Sequence, residues 1–155
     1  MVRPEWAEKK RIAVFGGRVS TERLLNEAYK IGQLVAERGA LLYCGGMSGV
    51  MEEAARGAVE HDGEVVGILP TADVESANPY ITIPVVTGIG TARNSIIARS
   101  VNGGIAINGR YGTLSEIAYS LDFGVPIVGL DTWEIEGVVS AASAEDAITQ
   151  LWENW

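Results

Sequence analysis

Short apolar runs alternate with amphipathic stretches along the whole chain. Residues 11–15, 41–44, 65–69, 104–107 and 126–130 are mostly apolar and rich in valine, isoleucine and leucine. Each is too short for a stable helix and is bounded by glycine or proline, so each reads as a buried strand. Between the first two, residues 20–38 place Leu24, Leu25, Ala28, Ile31, Leu34 and Val35 at helical spacing. Ser20 or Thr21 can cap that helix and Gly39 can end it. Further helices are predicted over 49–61, from Thr91 to about Val101, over 113–121, and from Ser143 to the terminus. Residues 81–86 read as a strand in an irregular or edge position, because Pro84 removes a ladder donor. Residues 71–79 read as loop, and the pattern over 133–138 is ambiguous.

Strands that are apolar throughout are covered on both faces, and their alternation with helices implies parallel neighbours joined by crossovers. The expected architecture is a single Rossmann-like α/β domain over residues 1–155, with a mostly parallel sheet and helices on both faces. No internal repeat or low-complexity stretch interrupts it.

Three predicted strands end in glycine-rich turns that open into helices. These are Gly16-Gly17-Arg18, the turn carrying Gly45, Gly46 and Gly49, and "NGRYGT", which is Asn108, Gly109, Arg110, Tyr111, Gly112 and Thr113. Glycine lets the backbone approach a ligand closely, and the unpaired N–H groups of a helix start attract an anion. These turns are therefore expected to bind a phosphate or nucleotide. None fits the dinucleotide fingerprint or the P-loop, which argues against ordinary NAD binding and NTP hydrolysis. Two charged residues sharpen the reading. Arg93 falls at a predicted helix start, where the dipole disfavours a cation unless an anion is bound there. Glu116 lies one turn into the helix after "NGRYGT".

Composition narrows the partners. The 155 residues carry a formal net charge of −8, which disfavours nucleic acid as a ligand. Against that background Arg93, Arg99 and Arg110 lie close together in sequence, as a site for a small anion requires. No apolar run is long enough to span a bilayer, and the charged N-terminus lacks the apolar centre of a secretion signal, so a cytoplasmic location without membrane contact is expected. One cysteine, Cys44, and one histidine, His61, exclude a disulfide framework and a zinc site built from such residues. Neither metal nor bound cofactor is expected.

The stretch "GTARNSIIARSVNGGIAINGRYGTLSEIA" resembles the paired motifs of the Lonely Guy (LOG) phosphoribohydrolases and their relatives, a superfamily that includes the molybdenum cofactor carrier proteins. Arg93, Arg99, Gly109, Gly112, Thr113 and Glu116 fall on its arginine-bearing helix start and its PGGxGTxxE turn. "LYCGGMSGVM" is similar to the family's YGGGxxGLM turn. The short length and the stretch from Thr87 to Asn94 look closest to the carrier-like subgroup. The resemblance implies that Arg93 and Glu116 act on a nucleoside 5′-monophosphate, releasing the base from ribose 5-phosphate. It also implies a homodimer or homotetramer, to which Trp152 and Trp155 would lend apolar surface. Carriage of a phosphorylated pterin-type cofactor is the alternative. Lysine decarboxylation has no support, since the only lysines are Lys9, Lys10 and Lys30, in a tail and a helix.

The chain departs from the pattern at three places. Asn108 and Arg110 replace small turn residues, and Cys44 replaces a glycine. A positive φ at Arg110 would cost about 1 kcal/mol, so the arginine is expected to be retained for a contact with the ligand.

Overall fold

The computed structural model describes residues 3–155. Seven strands form one parallel sheet in the order β4-β3-β2-β1-β5-β6-β7. They are β1 (Arg11–Gly16), β2 (Leu41–Cys44), β3 (Val65–Leu69), β4 (Ile83–Val86), β5 (Gly103–Ile107), β6 (Ile127–Leu130) and β7 (Val138–Ser140). The helices are α1 (Glu22–Glu37), α2 (Val50–Val59), α3 (Asn94–Ser100), α4 (Tyr111–Asp122) and α5 (Ala144–Glu153).

The side-chain alternation of β1 sorts the core into two layers. Ile12 and Val14 pack with the apolar stripes of α1, α2 and α5. Ala13 and Phe15 face the other way, onto Ile97 of α3 and Ile117 of α4. The sheet is thus covered on both faces, as its apolar strands require.

Most predicted elements stand within a residue or two of their expected ends. Thr21 caps α1, accepting from Leu24 N at 3.3 Å, and Ser143 caps α5. The strand with Pro84 lies at the sheet edge and pairs only with β3. The ambiguous segment after Trp133 leads into the short strand β7. Thr91 caps nothing: it sits inside a 3-10 turn over Gly90–Arg93, and α3 starts only at Asn94. Trp152 and Trp155 pack edge to face with centroids 4.7 Å apart, and Trp155 donates to Asn102 O at 3.2 Å. They fasten the end of α5 to the body of the chain, and Trp155 remains 39% exposed.

The chain runs outward from β1 to β4, then returns to lay β5 against the other side of β1. Loops after β1 and β5 therefore diverge to opposite sides, leaving a crevice at the carboxyl ends of these strands.

Candidate functional site

That crevice is a cleft of about 650 Å³. Its lining takes Gly16, Gly17 and Arg18 from the end of β1, and Asn108, Gly109, Arg110, Gly112 and Thr113 from the end of β5. Arg93, Asn94 and Glu116 complete its polar floor.

The turn after β5 is built by two residues with positive φ, Asn108 at 47° and Gly109 at 93°. Asparagine tolerates this region better than most side chains. At Gly109 any Cβ would collide with the Thr113 side chain, so only glycine fits. The expected strain at Arg110 is absent: its φ is −116°, an ordinary extended value. Asn108 takes the strained position instead, and Arg110 sits at the cap of α4 with its exposed side chain on the cleft. The turn is strapped from behind. Thr132 Oγ1 donates to Asn108 O at 2.7 Å and Trp133 Nε1 donates to Arg110 O at 3.1 Å. The first hydrogen bond of α4 runs from Leu114 N to Arg110 O at 2.9 Å. The N–H groups of residues 111–113 therefore have no partner within the helix, and Gly112 and Thr113 line the cleft.

Arg93 is 7% exposed. Its Nε donates to Ile68 O at 2.8 Å, one terminal nitrogen donates to Gly45 O at 3.2 Å, and the other to Asn94 Oδ1. Three of the five N–H donors of a guanidinium are thus used to hold it in place, which leaves two without a partner among the described residues. Burial lowers its pKa, Glu116 and Cys44 oppose that shift, and the like charge of Arg18 adds to it.

Asn94, 1% exposed, ties this arginine to α4 by donating to Ser115 Oγ at 3.0 Å. Sequence reading missed it as a site residue, although a polar residue beside Arg93 at a helix start was the available signal. It also passed over Val19, Met51, Pro70, Gly90 and Thr91, which line the cleft.

Glu116 lies in the second turn of α4, because the helix begins at Tyr111. It is 6% exposed and its carboxyl has no hydrogen bond or ion pair among the described residues. Burial pushes the carboxyl up to about 8, against the pull of Arg93. An acid placed merely to suit a helix start would be exposed and in the first turn, and Glu116 is neither.

Gly45, Gly46, Gly49 and Tyr111, expected from the sequence to touch the ligand, do not line the cleft. Gly45 leaves room for the Arg93 guanidinium, Gly46 for Leu69, and Gly49 packs against the backbone of residues 17–18. The middle glycine turn thus shapes the site by seating Arg93. Arg99 lies elsewhere, over the Phe123 ring at 3.9 Å. Cys44 is fully buried, and burial pushes its thiol up to about 12, which makes it inert at neutral pH. Half-buried His61 stands beside Gly57 O and the Tyr29 ring. No cluster of His, Cys, Asp or Glu that could hold a metal occurs among the described residues, nor any helix long and apolar enough to cross a membrane.

The fold and its switch-point cleft place the chain among the Rossmann-like α/β proteins. More narrowly, it belongs to the SLOG cluster4 family, whose model matches residues 9–153. A solved molybdenum cofactor binding protein from the phototrophic bacterium Rippkaea orientalis is similar, with 34% identity, a TM-score of 0.90, and coverage of 95% of this chain and 98% of that one. The molybdenum cofactor carrier protein of Chlamydomonas reinhardtii also shares 34% identity, with a TM-score of 0.85 over 94% of this chain and 98% of that one. A probable cytokinin riboside 5′-monophosphate phosphoribohydrolase of Oryza sativa subsp. japonica is 33% identical over 113 residues, or 70% of this chain. The chain spans 50% of that relative's length. The resemblance to the LOG superfamily and its carrier-like branch holds.

Proposed function

We propose that the cleft holds the phosphate of a nucleotide-like ligand, and that the protein carries such a ligand, a pterin-type cofactor being one candidate. The convergence of Arg18, Arg93 and Arg110 on the open end of α4, in a protein of net charge −8, carries this reading. Similarity to carrier proteins supports it. Glu116 favours carriage over turnover. With its carboxyl at about 8, it is mostly protonated near pH 7, and a phosphate beside it pushes it higher. It then lacks the charge that stabilises an oxocarbenium ion during N-glycoside cleavage.

A second reading is hydrolysis of a nucleoside 5′-monophosphate to base and ribose 5-phosphate. Its support is the unpaired Glu116 carboxyl lining the same cleft as Arg93. A carboxyl that keeps its proton at neutral pH can give it to a departing base.

Inorganic phosphate or AMP should raise the melting temperature; ligand at 100 times its Kd stabilises by about 2.7 kcal/mol. AMP recovered intact after prolonged incubation supports carriage, whereas free adenine favours the hydrolase. No shift with either ligand at millimolar concentration refutes the anion site.

Arg110→Gly tests the residue that departs from the family turn. Phosphate affinity should fall about tenfold or more, since a charge-assisted hydrogen bond contributes about 1.5–3 kcal/mol. The ligand-free melting temperature should change little, because no positive φ is relieved and glycine is tolerated at a cap. Equal affinities in calorimetric titrations at one salt concentration would retire this role.

A further inference from the structure

Tyr111 is 75% exposed, although it stands between two residues that line the cleft. Side chains of a helix tilt toward its N-terminus, so a ring at the first position of α4 leans toward the end that bears Arg110. It does not stand alone. The Trp133 ring lies 6.2 Å away, centre to centre, and tilted by 31°. Trp133 is itself held in place: Nε1 donates to Arg110 O, and its ring packs on the core layer of α3 and α4. The result is an aromatic ridge on the rim of the arginine cleft, with one ring anchored and the other open to solvent.

Beyond the ridge lies a second hollow of about 470 Å³, to which Trp133, Asp131, Glu134 and Glu136 contribute. Asp131 is paired with Arg23, which leaves Glu134 and Glu136 as the acids that disfavour phosphate there. Phosphate therefore belongs on the arginine side, and the uncharged ring of the ligand on the aromatic ridge.

We propose that Tyr111, backed by Trp133, is the platform on which the ligand's planar heterocycle stacks. This rests on the phosphate reading of the cleft and adds to it the part of the ligand that phosphate contacts cannot recognise. Stacking on an aromatic side chain accounts for about tenfold in affinity or more.

Calorimetric titration of the whole protein with GMP and with ribose 5-phosphate separates the two parts of the ligand. Wild type should bind GMP at least tenfold more tightly than ribose 5-phosphate. Tyr111→Ala should reduce that ratio to near one, and Tyr111→Phe should keep it. A wild-type ratio near one, or a ratio that survives Tyr111→Ala, overturns the platform while leaving the phosphate cleft standing. Failure of both ligands to bind wild type removes the phosphate reading and the platform with it.

Discussion

Glu116→Gln is expected to stabilise the protein at alkaline pH and to leave it nearly unchanged at pH 4.5. Burial raises the carboxyl from its ordinary 4.5 to about 8. Between those values the folded chain keeps a proton that the unfolded chain releases. The stability contributed by this group is therefore fully present below 4.5 and is lost as pH rises, by about 1.4 kcal/mol per pH unit, until it ionises near 8. Glutamine has the same shape and no proton to lose, so its advantage grows across that window to about 3–5 kcal/mol by pH 9. For a chain of this length that is a rise in Tm of roughly 10 °C. Thermal melts of both proteins from pH 4.5 to 9 test this, and parallel curves would show that Glu116 is not held as a buried acid. The same variant reports on chemistry: any release of adenine from AMP should fall about 100- to 1000-fold.

Arg93→Ala should act in the opposite direction on stability. The guanidinium donates to Ile68 O and Gly45 O and to the Asn94 side chain, which joins the ends of β3 and β2 to the start of α3. Hydrogen bonds from a charged donor contribute about 1.5–3 kcal/mol each, and the acceptors left behind are poorly placed to find water. A loss of about 3–6 kcal/mol is expected, with a fall in Tm on the order of 10 °C, together with loss of phosphate binding. Arg93→Lys should restore only part of either, because one ammonium cannot reach three acceptors in a planar fork. A melting temperature within two or three degrees of wild type, on the order of 1 kcal/mol, would mean that the arginine is a ligand contact alone. The contrast with Arg110→Gly, which should lose affinity without stability, separates the buried arginine from the exposed one.

Much of the fold was legible in the sequence because it is written in local patterns. Apolar runs bounded by glycine marked the inner strands, Thr21 and Ser143 marked helix starts, and Pro84 marked an edge. The positions of Arg93 and Glu116 at the ends of successive elements were enough to single them out. Local patterns failed where a residue's neighbours come from far along the chain. Thr91 has the chemistry of a cap, yet Gly88 and Gly90, both at positive φ, make a tight turn there instead. The short strand β7 has a partner only because β6 presents it with a free edge. Arg110 looked strained by analogy with a glycine turn, but the positive φ passed to Asn108, and that depends on how β5 meets α4.

The order of strands in the sheet is a property of the whole chain, and it decides which turns share a cleft. All three glycine turns follow the same rule in the sequence, and all three stand at carboxyl ends of parallel strands. Only those after β1 and β5 flank the point where the sheet changes direction, so only they open onto the crevice. The turn after β2 lies one strand further out, where its glycines admit the Arg93 side chain. Residue types determined the chemistry available to this protein: arginines, one acid, and glycines beside helix starts. Tertiary structure decided which of them meet, because long-range strand pairing sets those distances and no local preference encodes it.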